Sequence, residues 1–172
     1  MMLSSKNEML NSDAKTVNFL RARNGLVAGK SDLQILICGI GGQGGLHLGH
    51  NLAKLVADRY QDIFSNEIRG IAQKRASVTS MIRCGNGIRS AFFAKKNVDY
   101  VLALEPMEIM RLMPHICPST ICILLDTYAF VPLFGIYDLE RPSRHDIEAS
   151  IYARGGRVIW LVVEEWLKSE KL

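Results

Sequence analysis

Leu33–His50 reads LQILICGIGGQGGLHLGH, an apolar run followed by six glycines within eleven residues. Leu33–Cys38 has the length and apolar density of a short buried strand. Leu48, Leu52, Leu55 and Val56 then recur at the spacing of one helix face, which predicts a helix ending near Tyr60. Between the two, Gly39, Gly41 and Gly44 fit G-x-G-x-x-G at a strand-to-helix turn. Glycines there permit a tight turn and close backbone approach, while the helix start offers free amides and a positive dipole end to an anion. The same glycines would equally let the helix pack close to the sheet, so both readings stand. No G-K-[ST] follows, which excludes a nucleotide-hydrolysing P-loop.

Downstream, strand and helix signals alternate. QDIF (61–64) reads as a short strand and NEIRGIAQKRA (66–76) as a loop. SVTSMIRC (77–84) alternates in the strand manner, and Asn86-Gly87 predicts a turn into IRSAFF (88–93), a β-hairpin. VDYVLALE (98–105) is a strand, and Pro106 opens a helix at the position where a missing amide is harmless. Met107, Met110 and Met113 along that helix read as core. TICILLD (120–126) is a strand, SRHDIEASIYARGG (143–156) a helix ended by glycine, RVIWLV (157–162) a strand, and EEWLKSEKL (164–172) a last short helix. The order predicts an α/β, Rossmann-like sandwich with a mostly parallel sheet plus a β-hairpin. Residues 1–32 are polar and weakly periodic, a loosely ordered or helical extension ahead of one domain over 33–172.

The totals narrow the class. The 172 residues suffice for one domain with a core. The net charge of +4 is carried by scattered Lys and Arg, unlike the clustered footprint of a nucleic-acid binder. No membrane span is expected, because no run of about 18 apolar residues occurs. Charges in MMLSSKNEML argue against a secretory signal, so a cytoplasmic location is expected. Cys38, Cys84, Cys117 and Cys122 lack zinc or iron–sulfur spacing, and Cys38 and Cys122 read as small buried thiols.

Other candidates carry two readings each. Glu67 is the ribose-binding acid of a dinucleotide site or a solvated carboxylate. His47, His50 and Lys54 share a helix edge as exposed polar positions, and no metal site is assigned. Arg83 and Arg89 are expected to form ion pairs across the hairpin. Glu105 and Glu108 suit helix-start electrostatics and subunit contacts better than a catalytic pair, and no catalytic residue is assigned. Trp160 and Trp166 read as core or interface anchors.

Three motifs in register add a resemblance. Gly39, Gly41, Gly42, Gln43 and Gly44 match G-x-G-G-Q-G; Gly70, Gln73, Ser77, Val78, Ser80 and Arg83 match G-x-x-Q-R-G-G-S-V-x-S and the residues after it; Ala103, Leu104, Glu105, Glu108 and Arg111 match A-L-E-x-x-E-A-x-R. From about Leu33 to Trp166 the chain resembles the gamma-type subunit of 2-oxoacid:ferredoxin oxidoreductases, nearest the indolepyruvate branch. The resemblance implies a subunit that is not catalytically complete alone. A partner would carry thiamine diphosphate and iron–sulfur clusters, decarboxylate the 2-oxoacid and pass electrons to ferredoxin; this subunit would complete the site and help receive coenzyme A. A homodimer within the hetero-oligomer is left open. Gly39, Gly41, Gly42, Gln43 and Gly44 are then the first candidates for cofactor contact, and Gln73, Lys74 and Ser77 the second. The chain departs from the pattern in the second motif. Lys74 replaces an Arg, Arg75 and Ala76 replace two glycines, and Arg69 replaces a common His. Lys loses the flat fork that grips phosphate bidentately. Arg75 would cost about 1 kcal/mol if its glycine had a positive φ. The chain also stops where members of that family continue with another helical segment, the mark of a shortened or divergent member. The alternatives are a stand-alone NAD-type dinucleotide domain and a non-catalytic interaction module on the same fold.

Overall fold

A computed structural model describes residues 30–70, 76–92, 94–127 and 140–162. Six strands form one sheet: β1 (Asp32–Ile40), β2 (Asp62–Arg69), β3 (Ser77–Gly85), β4 (Tyr100–Ala103), β5 (Ile121–Leu125) and β6 (Arg157–Leu161), ordered β2-β3-β1-β4-β5-β6. Strands β1, β4, β5 and β6 run parallel, and β3 is antiparallel to both β1 and β2. The sheet is therefore an open, mostly parallel α/β sheet with an antiparallel edge, as the alternating signals predict.

The covering elements follow from side-chain periodicity. Helix α1 (Gly45–Val56) buries Leu48, Leu52 and Val56 against Leu33, Ile35, Ile37, Ile82 and Cys84, the odd-numbered face of β1 and its register partners. The opposite face, led by Leu36, Cys38, Val101, Ala103, Cys122 and Leu124, is covered by Ile109, Leu112 and Met113 of the segment Pro106–His115. Helix α2 (Arg144–Tyr152) adds Ile147 and Ile151 to that layer. Each of these large buried side chains contributes about 2 kcal/mol by leaving water. Pro106–His115 begins at proline as expected but winds as a 3₁₀ helix, with Pro114 inside its last turn. Met113 is buried and Met110 packs against the same core, as expected, whereas Met107 is only partly buried and belongs to neither core cluster. A reciprocal capping box of Ser143 and Asp146 starts α2, and Gly155 at φ 78° follows its end.

The hairpin exists, but not between the strands that the Asn-Gly signal suggests. β3 pairs with β2, which is longer than QDIF and takes in Asn66–Arg69; no strand forms over Ile88–Phe92. Asn86 and Gly87 instead close the far end of that pair. Gln61 donates its amide to Asn86 Oδ1 (3.2 Å), and Gly87, at φ 78°, donates to Asp62 Oδ2 (2.6 Å). Arg83 correspondingly pairs with Asp32 of β1 (2.7 Å), not across to the Arg89 arm. Residues 1–29 of the expected extension, residue 93 at the end of the expected hairpin, and the expected last helix with Trp166 lie outside the described residues.

Candidate functional site

The chain leaves β1 through a tight bend. Gln43 donates its amide to Ile40 O (3.2 Å), closing a turn whose third residue, Gly42, has φ 101°. Such a turn reserves that position for glycine. Gly41 donates to Ala76 O (2.8 Å), which ties the bend to the start of β3. Gly44, at φ 81°, is the N-cap of α1 and accepts from Leu48 N (3.0 Å).

The Gln43 side chain is engaged within the fold. Its Oε1 accepts from Ile40 N (2.9 Å) and its Nε2 donates to Leu104 O (3.4 Å), bridging the ends of β1 and β4. Those neighbours are the topological switch point, because β1 leads to α1 on one face and β4 leads to the 3₁₀ helix on the other. Gln43 thus occupies the crevice where such folds usually take ligands. Gly39 leaves it the room: a Cβ there would lie 2.7 Å from Gln43 Oε1 and 3.1 Å from Leu104 Cβ.

The open space lies on the other flank of the bend. A cleft of about 650 Å³ runs between the start of α1 and the β2–β3 end, lined by Gly39, Gly41, Gly42 and Gly44 together with Leu46, His47, Arg69, Val78 and Ser80. At its wall, the first amides of α1 have no carbonyl one turn back. No side chain caps them, and no acid occupies the first turn. That end therefore presents bare donors and a positive partial charge to the cleft.

The sequence-derived candidates divide accordingly. Gly39, Gly41, Gly42 and Gly44 come together at the cleft, whereas Gln43 braces the bend beside it. Ser77 lies elsewhere, its Oγ donating to Glu108 Oε2 (2.5 Å). Gln73 and Lys74, with Arg75, lie outside the described residues. Among the lining residues that escaped assignment as ligand contacts are His47, Arg69 and Ser80. The β3 alternation places Val78 and Ser80 on one face, and the antiparallel register sets Arg69 opposite Val78; only the pairing of β2 with β3 reveals that.

Electrostatics around the bend separate the remaining candidates. Glu67 accepts from Arg69 (2.8 Å) and from Ser80 Oγ (3.4 Å). It sits near the C-terminal end of β2, at the same end of the sheet as the bend but one strand further from β1 than the ribose acid of a dinucleotide fold, because antiparallel β3 intervenes. Glu105 and Glu108 are almost wholly buried, and Glu108 also meets Arg111 Nε (3.2 Å), so neither carboxylate is a surface for subunit contact. Burial, aided by the nearby Glu108, Cys122 and Glu105, pushes the Cys38 thiol well above its usual range. Burial lifts Cys84 to about 11 and Cys122 to about 12. Among the described residues no three His, Cys, Asp or Glu side chains converge as metal ligands, and no helix is long and apolar enough to cross a membrane.

Residues 34–170 match the family model for pyruvate ferredoxin/flavodoxin oxidoreductase, so the chain belongs to that family. Among named relatives, it is 28% identical over 133 residues to "Indolepyruvate oxidoreductase subunit IorB" of Methanothermobacter thermautotrophicus, covering 76% of this chain and 66% of that one. It is 29% identical over 100 residues to the subunit of the same name from Archaeoglobus fulgidus, covering 58% and 49%. The chain thus spans two thirds or less of the length of these curated relatives. Its fold is similar to that of pyruvate oxidoreductase subunit PORC from Thermotoga maritima, with TM-score 0.56 at 15% identity over 83% of this chain and 68% of that one. It is also similar to the 2-oxoglutarate:ferredoxin oxidoreductase from Magnetococcus marinus, with TM-score 0.55 at 17% identity over 83% of this chain and 22% of the other.

Proposed function

We propose that the chain is the gamma-type subunit of a 2-oxoacid:ferredoxin oxidoreductase of the indolepyruvate kind, with residues 33–172 as its working domain and 1–32 as an extension. The observation that carries this is the open cleft beside an uncapped helix start, in a chain of this family. The bare amides of α1 and the positive-φ glycines fit a phosphate group. The apolar walls, Leu46 and Val78 among them, fit an organic body joined to it. Coenzyme A has both parts, and when bound it supplies the thiol that accepts the acyl group. In this reading the amides of Gly44 to His47 bind the phosphate, Arg69 and His47 meet its charge at the rim, and Gln43 keeps the bend in shape.

Thiamine diphosphate and the iron–sulfur clusters then belong to a larger cytoplasmic partner subunit, which decarboxylates the 2-oxoacid and hands electrons to ferredoxin. Cys38, Cys84 and Cys122 are buried thiols with raised pKa, a poor donor set for a cluster, which needs thiolates. Anaerobic purification from the native cell tests the assignment. A brown, thiamine-bearing protein is expected to accompany the chain, and elution of the chain alone at low salt overturns it. Equilibrium dialysis of the chain against coenzyme A and against NAD tests the ligand: retention of coenzyme A only is expected, and retention of NAD only favours a dinucleotide domain.

A further inference from the structure

We propose that the outer edge of β2 is a self-association surface. Two copies of the chain join there antiparallel, about a twofold axis at Asn66, so that one sheet continues into the other. The inference is independent of the oxidoreductase reading. β2 is the terminal strand of the sheet and runs for eight residues, Asp62–Arg69, without a Lys or Pro to guard it. Among the described residues no strand lies beyond it.

The ladder with β3 fixes which backbone groups remain available. Gly70 donates to Ser77 O (2.8 Å), and the register continues from that pair to Asp62 opposite Gly85. In an antiparallel ladder alternate residues turn their N–H and C=O to the same side. The even-numbered residues from Asp62 to Gly70 therefore face β3, and Ile63, Ser65, Glu67 and Arg69 turn theirs outward. Four consecutive outward residues make a template for another strand.

Side chains select the partner and the register. A twofold axis perpendicular to the sheet keeps each face continuous between the copies. With the axis at Asn66, Phe64 lies opposite Ile68 of the second copy, and Ile68 opposite its Phe64. These two are the exposed apolar residues of β2, 37% and 50% exposed on one face. Asn66 meets its own copy, and a carboxamide both donates and accepts. On the other face Ser65 meets Glu67, whose charge its own Arg69 already balances (2.8 Å). Moving the axis to Ser65 sets Phe64 against Asn66, and moving it to Glu67 sets Glu67 against itself. Of these three central axes, the one at Asn66 pairs apolar with apolar and separates like charges, and it overlaps the two strands over more of their length than an axis at Phe64 or Ile68 would.

Light scattering on the full chain tests this first. A single ladder is a small interface, so mass should rise with concentration from 19.2 kDa toward twice that value, across a range of about 1–200 µM. A mass fixed at 19.2 kDa overturns the proposal, whether residues 1–29 or a different subunit covers the edge. Asn66→Cys places two thiols at a pair without ladder hydrogen bonds, where Cα atoms sit about 4.5 Å apart, within disulfide range. Oxidation should link that variant well above the parent background, to which half-exposed Cys117 contributes. Ser65→Cys, facing Glu67, should stay near background, and equal linking of the two variants overturns the register. Ser65→Pro removes one outward donor and no bond to β3. It should melt near the parent temperature and remain monomeric; a dimer that survives it overturns the proposal.

Discussion

The two halves of this sheet solve different problems. In the parallel half, β4 is buried at every residue, and β1 is buried from Leu33 onward, because helical layers cover both faces. In the antiparallel half, β2 has no buried residue, and its Phe64 and Ile68 meet solvent. The covered half gives the fold its stability. The uncovered half tolerates change, and it supplies the cleft wall and the outer edge. Cleft and edge both lie where α1, centred over β1 and β3, reaches the last strand only at its margin, where Ile63 packs against the same core.

The sharpest way to break that comparison is a matched pair of truncations. Leu36→Ala removes a side chain with no exposure from the core of β1 and should cost about 2–5 kcal/mol. Phe64→Ala on β2 should cost under about 1 kcal/mol, because it leaves no internal cavity. Urea unfolding of the two variants at a concentration that keeps the parent monomeric checks this; equal losses would mean that the halves are equally packed. At the boundary between the halves, Gly39→Ala should cost about 1–3 kcal/mol by pressing on Gln43 Oε1 and Leu104. Shortening Gln43 to Ala as well should return part of that loss, since the closest clash is with its side chain. A double-mutant cycle on thermal unfolding measures the coupling.

The smallest effect concerns pH. Burial, with Lys95 adding repulsion, holds the His115 imidazolium below its usual pKa. The unfolded chain then binds more protons in that window, so this stabilisation is complete above about pH 6.5 and declines as pH falls through the folded value. His115→Gln should flatten the stability profile between about pH 7 and pH 5. An unchanged slope would place the dependence on other groups.

Legibility in the sequence follows the same division. The strand Leu33–Cys38, β4 and β5 announce themselves because burial on both faces demands continuous apolar runs; the glycine bend, α1 and Pro106 are legible from their spacing, and β6 from its apolar run although none of its residues is fully buried. β2 gives little signal, since a strand wet on one face and along one edge reads as DIFSNEIR, five of its eight residues polar. IRSAFF looks more strand-like than NEIR, yet its described residues, Ile88–Phe92, form no ladder, because pairing is decided by which neighbour offers a free edge. In the site, the glycines are legible as a bend. The inward turn of Gln43 is not, since it depends on Leu104, brought alongside by the parallel pairing of β1 and β4.

The buried cysteines bear on survival in air. Thiolate, not thiol, reacts with peroxide and disulfides, and pKa values of about 11 to 12 leave Cys84 and Cys122 with under about one part in a thousand ionised at neutral pH. Oxidative damage to those positions is gated by transient opening of the fold. One reports on the layer under α1 and the other on the layer under the 3₁₀ helix, so alkylation by a neutral maleimide gives a separate clock for the breathing of each side.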